Sequence, residues 1–339
     1  MKRLALLFAM AMPALAQSVA TNAAHVVVAH DRVIDVWKAG ALTTPVARAD
    51  GVETAGAIAI SDTHAAVVDQ IHNRVAIVDF ATGKSIVAKT HESPVAVAFA
   101  GRELLVVDHD ASAVERISPD GSSTMLNLAL DPAMLAVEGD HAYVYSRVSG
   151  VLQEIGLAPF AVTRTLAVPA FASSMIVAGT IAYLTYPFEG RVRAIDVATM
   201  AMRDETRVGS TPIDIARAAE PTALTARLLV VADPVSKHLW VIEAQQKPSE
   251  VFGRSFLRGF IGLGLFSGKN PGFPRWVDRV VAHDAKYLAF DSWTGTLYSA
   301  KKDAVAKLAT GLGPRAFALT PGHVAVWWQN GTLVAQKLD

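Results

Sequence analysis

The chain has 339 residues, with 31 basic against 31 acidic, 52% hydrophobic content and no cysteine. Such a balance lacks the concentrated positive charge on which nucleic-acid binding rests, and the apolar content is that of a folded body. Without cysteine there is no disulfide, no thiolate metal centre and no lipid-modified N-terminal cysteine.

Residues 1–16 read as a secretory signal peptide. Lys2 and Arg3 form a charged start, Leu4 to Met12 an apolar run, and Ala14-Leu15-Ala16 a small-residue cleavage site before Gln17. Cleavage there makes the product periplasmic or secreted. Loss of Lys2 and Arg3 leaves it two charges acid. No later stretch has the length of a membrane span, so residues 17–339 are expected to form one soluble domain.

Beyond the leader, a unit recurs about every 40 residues, and each copy reads as four strands. Its clearest copy is 208–216 followed by 226–244; weaker copies lie at 90–118, 128–156 and 311–338. Seven runs of small and apolar residues read as innermost strands: 57–61, 95–99, 133–137, 173–178, 213–217, 277–282 and 315–319. Hairpins follow them, with polar turns such as Gln70–Asn73 and Pro234–Lys237. This is the pattern of an all-β propeller of four-stranded antiparallel blades. Seven inner strands give seven blades; the additional hairpin at 26–37 makes eight the alternative. The C-terminus supplies three strands and the N-terminus offers 25–30, 32–38 and 43–49. Pairing an N-terminal strand onto the last blade is expected to close the ring and remove both open edges.

One segment breaks the period. Residues 245–276 occupy about thirty positions where an outer strand and a turn would suffice, and insertions of that length are commonly functional. Phe252, Phe256 and Phe260 are spaced four apart, as are Leu257, Ile261 and Leu265, giving one broad apolar face, with Phe266 beside it. Exposed, such a face marks a partner-binding or membrane-surface site; folded back, it plugs the propeller.

Val208-Gly209-Ser210-Thr211-Pro212 and the arms Val192-Arg193-Ala194-Ile195-Asp196-Val197-Ala198-Thr199 and Arg74-Val75-Ala76-Ile77-Val78-Asp79-Phe80-Ala81-Thr82-Gly83 carry a family pattern. They resemble the YVTN-type repeats of the lactonase-like, quinoprotein-like propeller superfamily, from about residue 25 to the end. The eponymous tetrapeptide is absent, and Pro119-Asp120-Gly121 falls after a third strand, not in the first turn. The resemblance implies the fold. It does not select an activity, because the group spans lactone hydrolases, lyases, quinoprotein subunits and non-catalytic binding proteins.

Three sets of residues are candidates for chemistry. Asp31, Asp69, Asp108, Asp233 and Asp291 fall near the end of second strands, where a carboxylate caps local backbone N–H groups. The alternative is that Asp69, Asp108, Asp233 and Asp291 hold Ca²⁺ or Mg²⁺. His72, His91 and His109 share that rim but lack the spacing of a ligand pair on one element. Arg275 and Arg315 each follow a proline that opens an inner strand, which places guanidinium forks at the channel mouth, with Trp276 and Trp293 near in sequence. There is no phosphate-binding loop, nucleophile elbow or zinc helix motif.

The resulting expectation is an exported, non-catalytic binding or scaffold propeller with no cofactor. It engages a protein or membrane-surface partner through the 250–276 loop and the adjacent rim, with Arg275, Arg315, Trp276, Phe256, Phe260 and Phe266 as binding residues. The alternative is a lactonase-like hydrolase or lyase with a divalent metal at the carboxylate rim.

Overall fold

The computed structural model describes residues 17–217, 228–235, 238–243, 276–283, 286–301 and 304–338. These residues form thirty strands in eight antiparallel sheets, six of four strands and two of three. In every sheet the strands lie in chain order, so each sheet is one blade. Blades 1 to 8 run Ser18–Asp50, Ile58–Lys89, Pro94–Asn127, Pro132–Ala167, Ser174–Arg207, Asp214–Glu243, Val277–Ala309 and Phe317–Lys337. The all-β propeller expected from the repeat is thus present, and of the two blade counts the sheets give the larger.

The additional blade comes from Ser18–Thr21, a four-residue innermost strand that pairs with His25–His30. It lies at the start of the described residues and lacks the Gly/Pro turn that announces the other inner strands, so the repeat does not reveal it. Its presence also corrects the expected closure. The N-terminal strand belongs to its own blade, and blade 8 keeps three strands among the described residues. Packing closes the ring instead: Val19, Val26, Val28 and Trp37 of blade 1 lie against Ala318, Val326 and Trp328 of blade 8. The Val19 N–H donates to the Arg315 carbonyl at 2.8 Å, and the Thr21 hydroxyl donates to the Leu319 carbonyl at 3.1 Å.

Burial across each blade follows from the radial stacking. Second and third strands are covered on both faces by neighbouring blades, so they carry unbroken apolar runs such as Leu104, Leu105, Val106 and Val107, all buried. Even positions such as Leu104 and Val106 pack against Val68 and Ile77 of blade 2, and odd ones such as Leu105 and Val107 against Val144 and Ile155 of blade 4. Each such buried side chain is worth about 1.5–3 kcal/mol. Outermost strands such as Ser123–Asn127 are largely exposed. Inner strands begin, and second strands end, on one face of the ring; the blade-to-blade connections arrive on the same face. Among the described residues no helix is long and apolar enough to cross a membrane.

Two glycines separate the cost of backbone conformation from the cost of close packing. Gly150 (φ +60°) and Gly139 (φ +58°) both occupy the left-handed region. A Cβ at Gly150 would lie 2.5 Å from the Val168 carbonyl oxygen, whereas one at Gly139 would meet nothing within 4 Å. Gly139→Ala is expected to lower unfolding stability by about 1 kcal/mol, and Gly150→Ala by about 3 kcal/mol or more. Chemical denaturation checks this; equal losses at the two sites would contradict the packing.

Candidate functional site

On the face where inner strands begin, a cavity of about 310 Å³ opens along the axis, lined by Val19, Ile58, Asp214, Arg279, Arg315 and Phe317 among others. Arg279 belongs to the inner strand of blade 7, Val277–His283. A register shift between Val277 and Arg279 marks a β-bulge there, the distortion that re-aims side chains at the rim of a sheet. Arg315 lies in the turn before the inner strand of blade 8, where the Ala316 N–H donates to the Gly313 carbonyl at 3.1 Å. Crowding around the guanidinium, and then the charge of Arg279, hold Arg315 below its usual pKa, although the residue as a whole is exposed.

The carboxylate in this cavity is already committed elsewhere. Asp214 accepts from the Ser174 hydroxyl at 2.9 Å, the Ile215 N–H at 3.0 Å and the Val280 N–H at 3.1 Å. Burial raises its pKa, against those hydrogen bonds and the nearby Arg279 charge. Among the described residues neither Arg279 nor Arg315 makes an ion pair. Two planar cations therefore face one solvent-accessible space, an arrangement that accepts a carboxylate or phosphate group.

Arg315 accordingly lies where its position after Pro314 suggested. Arg279 and Asp214 were passed over in the sequence. Their signal is charge within an inner strand, since Val277–His283 carries Asp278 beside Arg279 and Asp214–Arg217 carries Arg217 besides Asp214. Trp276 stands 40% exposed just before the blade 7 inner strand, and Trp293 is 75% exposed in the turn after its second strand. Arg275, Phe256, Phe260, Phe266 and the apolar face of 250–275 lie outside the described residues.

The second-strand ends form a ring of corresponding positions, occupied in order by His30, Asp69, Asp108, Ser146, Tyr186, Asp233, Asp291 and Gln329. Asp31 does not belong to it: blade 1 ends its second strand on His30, and Asp31 is an exposed turn residue at φ +44°. The aspartates Asp69, Asp108, Asp233 and Asp291 are all fully buried, each in a different blade. Three of them cap backbone. Asp69 accepts from the Glu53 N–H at 3.1 Å, Asp233 from the Ser210 N–H at 2.6 Å and the Thr211 N–H at 3.1 Å, and Asp291 from the Trp293 N–H at 3.0 Å. Of the four, Asp108 alone is grouped among the described residues with two other metal-ligand side chains, His91 and Glu115. Burial, followed by the Glu115 charge, pushes the Asp108 carboxyl up to about 7, with His91 opposing. His72 lies 2.9 Å from Asp69, and His109 is paired with Asp110 and Asp131.

Blade 2 shows what a satisfied member of the ring is worth. Burial raises the Asp69 pKa, but hydrogen bonds from Thr54, His72 and Arg74 outweigh it and hold the carboxyl at about 2, below the ordinary 3.8. A depressed folded-state pKa gives stability that is present above 3.8 and is lost as pH falls through about 2. Asp69→Asn is expected to cost on the order of 1–2 kcal/mol at pH 7 and to flatten the fall in stability between pH 4 and 2. Urea unfolding at several pH values measures both, and an unchanged acid limb would contradict the assignment.

No family model matches the chain, and no curated protein matches it. Solved structures do. The computationally designed Ika8 protein superposes with a TM-score of 0.69 at 13% identity, covering 96% of each chain. BamB from Moraxella catarrhalis gives 0.64 at 11% identity over 94% of each chain. Virginiamycin B lyase from Staphylococcus aureus gives 0.62 at 11% identity over 83% of this chain and 93% of its own. The chain shares the β-propeller fold with these proteins. At such identities the likeness concerns fold alone.

Proposed function

We propose that this protein is an exported, non-catalytic binding propeller, acting in the periplasm or outside the cell. Its axial cavity takes an acidic side chain or a C-terminal carboxylate of a protein partner. The observation that carries this reading is the pair Arg279 and Arg315, two guanidiniums at one cavity with no ion pair among the described residues. Arg315 is exposed and Arg279 half-buried, so both guanidiniums are open to a ligand, and a bidentate guanidinium–carboxylate contact is among the stronger polar interactions. Segment 250–276 precedes in sequence Val277, the first residue of the strand that bears Arg279, and its apolar residues are proposed to contact the same partner. Two of the structural neighbours point different ways, one a lyase by name and one BamB. The capping roles of Asp69, Asp233 and Asp291 favour binding over rim-metal catalysis, because those carboxylates are occupied by backbone donors.

The test is calorimetric titration with succinate and with a pool of short acid-rich peptides, using an uncharged peptide pool as control. Arg279→Gln and Arg315→Gln are each expected to weaken binding of the acidic probes tenfold or more, which corresponds to about 1.4 kcal/mol. The unliganded melting temperature should stay equal or rise, since a like-charge contact is relieved. Deleting 250–270 should weaken the peptides and spare succinate. Equal binding of the uncharged pool, or affinity unchanged in both arginine variants, would contradict the proposal.

A further inference from the structure

The position filled by Asp108 and its cross-strand neighbour in blade 3 carries an unbalanced cluster. In blade 1 the same two positions hold His30 and Asp35: His30 pairs in register with Val33, and Asp35 follows two residues on. There the charges are balanced, since His30 Nε2 lies 3.0 Å from Asp35 and Arg48 donates to it at 2.6 and 2.7 Å. In blade 3, Asp108 pairs in register with Ala113, and Glu115 follows two residues on. Both carboxylates project to the same side, between blades 2 and 3, and their exposures are 0% and 1%.

The backbone donors that satisfy the other ring aspartates are spent elsewhere here. The Ser93 N–H donates to Asn73 Oδ1 at 2.9 Å, while the His109 and Asp110 N–H groups donate to the Ser93 and Glu92 carbonyls. Both Asp108 carboxylate oxygens are buried with no hydrogen-bond partner. His91, in the connection from blade 2, points Nδ1 at Glu115 Oε2 from 3.3 Å, and its ring is 46% exposed. One ligand atom from each of His91, Asp108 and Glu115 lies within 4.8 Å of the other two.

We propose that His91, Asp108 and Glu115 form a binding site for one divalent transition-metal ion, Zn²⁺ or Mn²⁺, seated between blades 2 and 3. An imidazole with two carboxylates is a donor set for such ions. Metal–ligand bonds of about 2.1 Å put tetrahedral donors about 3.4 Å apart, which matches the 3.3 Å between His91 and Glu115. A small closure of Asp108 completes the set, and the exposed side of His91 leaves a position for water. The ion neutralises two buried carboxylates that the protein otherwise leaves facing each other, and it ties the 90–93 connection to blade 3. This site is independent of the axial arginines.

The experiment is calorimetric titration of EDTA-treated mature protein with ZnCl₂ and MnCl₂, with CaCl₂ and MgCl₂ as controls, alongside thermal unfolding. The expected result is one ion per chain and a raised melting temperature, with binding weakened tenfold or more in Asp108→Asn, Glu115→Gln and His91→Gln. If a buried-carboxylate variant does not fold, His91→Gln, altered at a half-exposed ring, carries the test. Absence of saturable Zn²⁺ or Mn²⁺ binding overturns the proposal. So does binding indifferent to all three substitutions, or saturation by Ca²⁺ or Mg²⁺ alone.

Discussion

Every blade in this ring is pressed on both faces by its neighbours, and that double burial governs the rest of the structure. It favours unbroken apolar runs in the second strands, as in Leu104–Val107 and Val26–Ala29. It also carries the last residue of most second strands into the interior, where a polar side chain must be satisfied. The solutions differ from blade to blade. Asp69 collects Thr54, His72 and Arg74; Asp233 caps two successive N–H groups; His30 meets Asp35 and stacks on Trp328 at 4.0 Å. The Tyr186 hydroxyl and one oxygen of Asp291 are left without a partner, and Asp108 departs furthest, because both its oxygens are buried and unpartnered beside a second carboxylate. A repeated position whose one copy has both carboxylate oxygens unpartnered is a stronger pointer to chemistry than the repetition itself.

The axis obeys a different economy. Inner strands are crowded, and their side chains are small or apolar at most positions, yet Arg279 and Arg315 meet there and the charge of one lowers the pKa of the other. Nothing in the propeller's own stability requires two like charges at a shared cavity. Strain of this kind belongs to binding sites, where a ligand's charge removes it and the site is organised beforehand. The only carboxylate among the described lining residues, Asp214, is turned to Ser174 and to backbone donors that fix the inner strands of blades 6 and 7. That leaves the guanidiniums available to a ligand.

Much of the fold was legible in the sequence because its causes are local and repeated. All seven expected inner strands occur, from Ile58–Ile60 to Phe317–Leu319, and the polar turns fall between second and third strands as read. The hairpin at 26–37 left eight blades as the alternative, but the inner strand of that blade was hidden because Ser18–Thr21 is too short and too near the apolar N-terminal run to show the period. The ring closure was misjudged for the same reason, since a free N-terminal strand was assumed where that strand was already used. Less of the candidate sites could be read. Arg315 was visible through Pro314, but its companion Arg279 comes from another blade, and only the closed ring brings them together. Likewise His91, Asp108 and Glu115 are spread over 25 residues with no ligand spacing, and the strand register alone places two of them on one face. Periodicity encodes what every blade shares; a site is what one blade does differently.

The most direct measurement is a crystal structure of the mature protein grown with succinate. The account predicts a carboxylate of the ligand held between the Arg279 and Arg315 guanidiniums in the axial cavity. It would be contradicted by succinate absent from that cavity, with both guanidiniums instead paired to carboxylates of the chain itself.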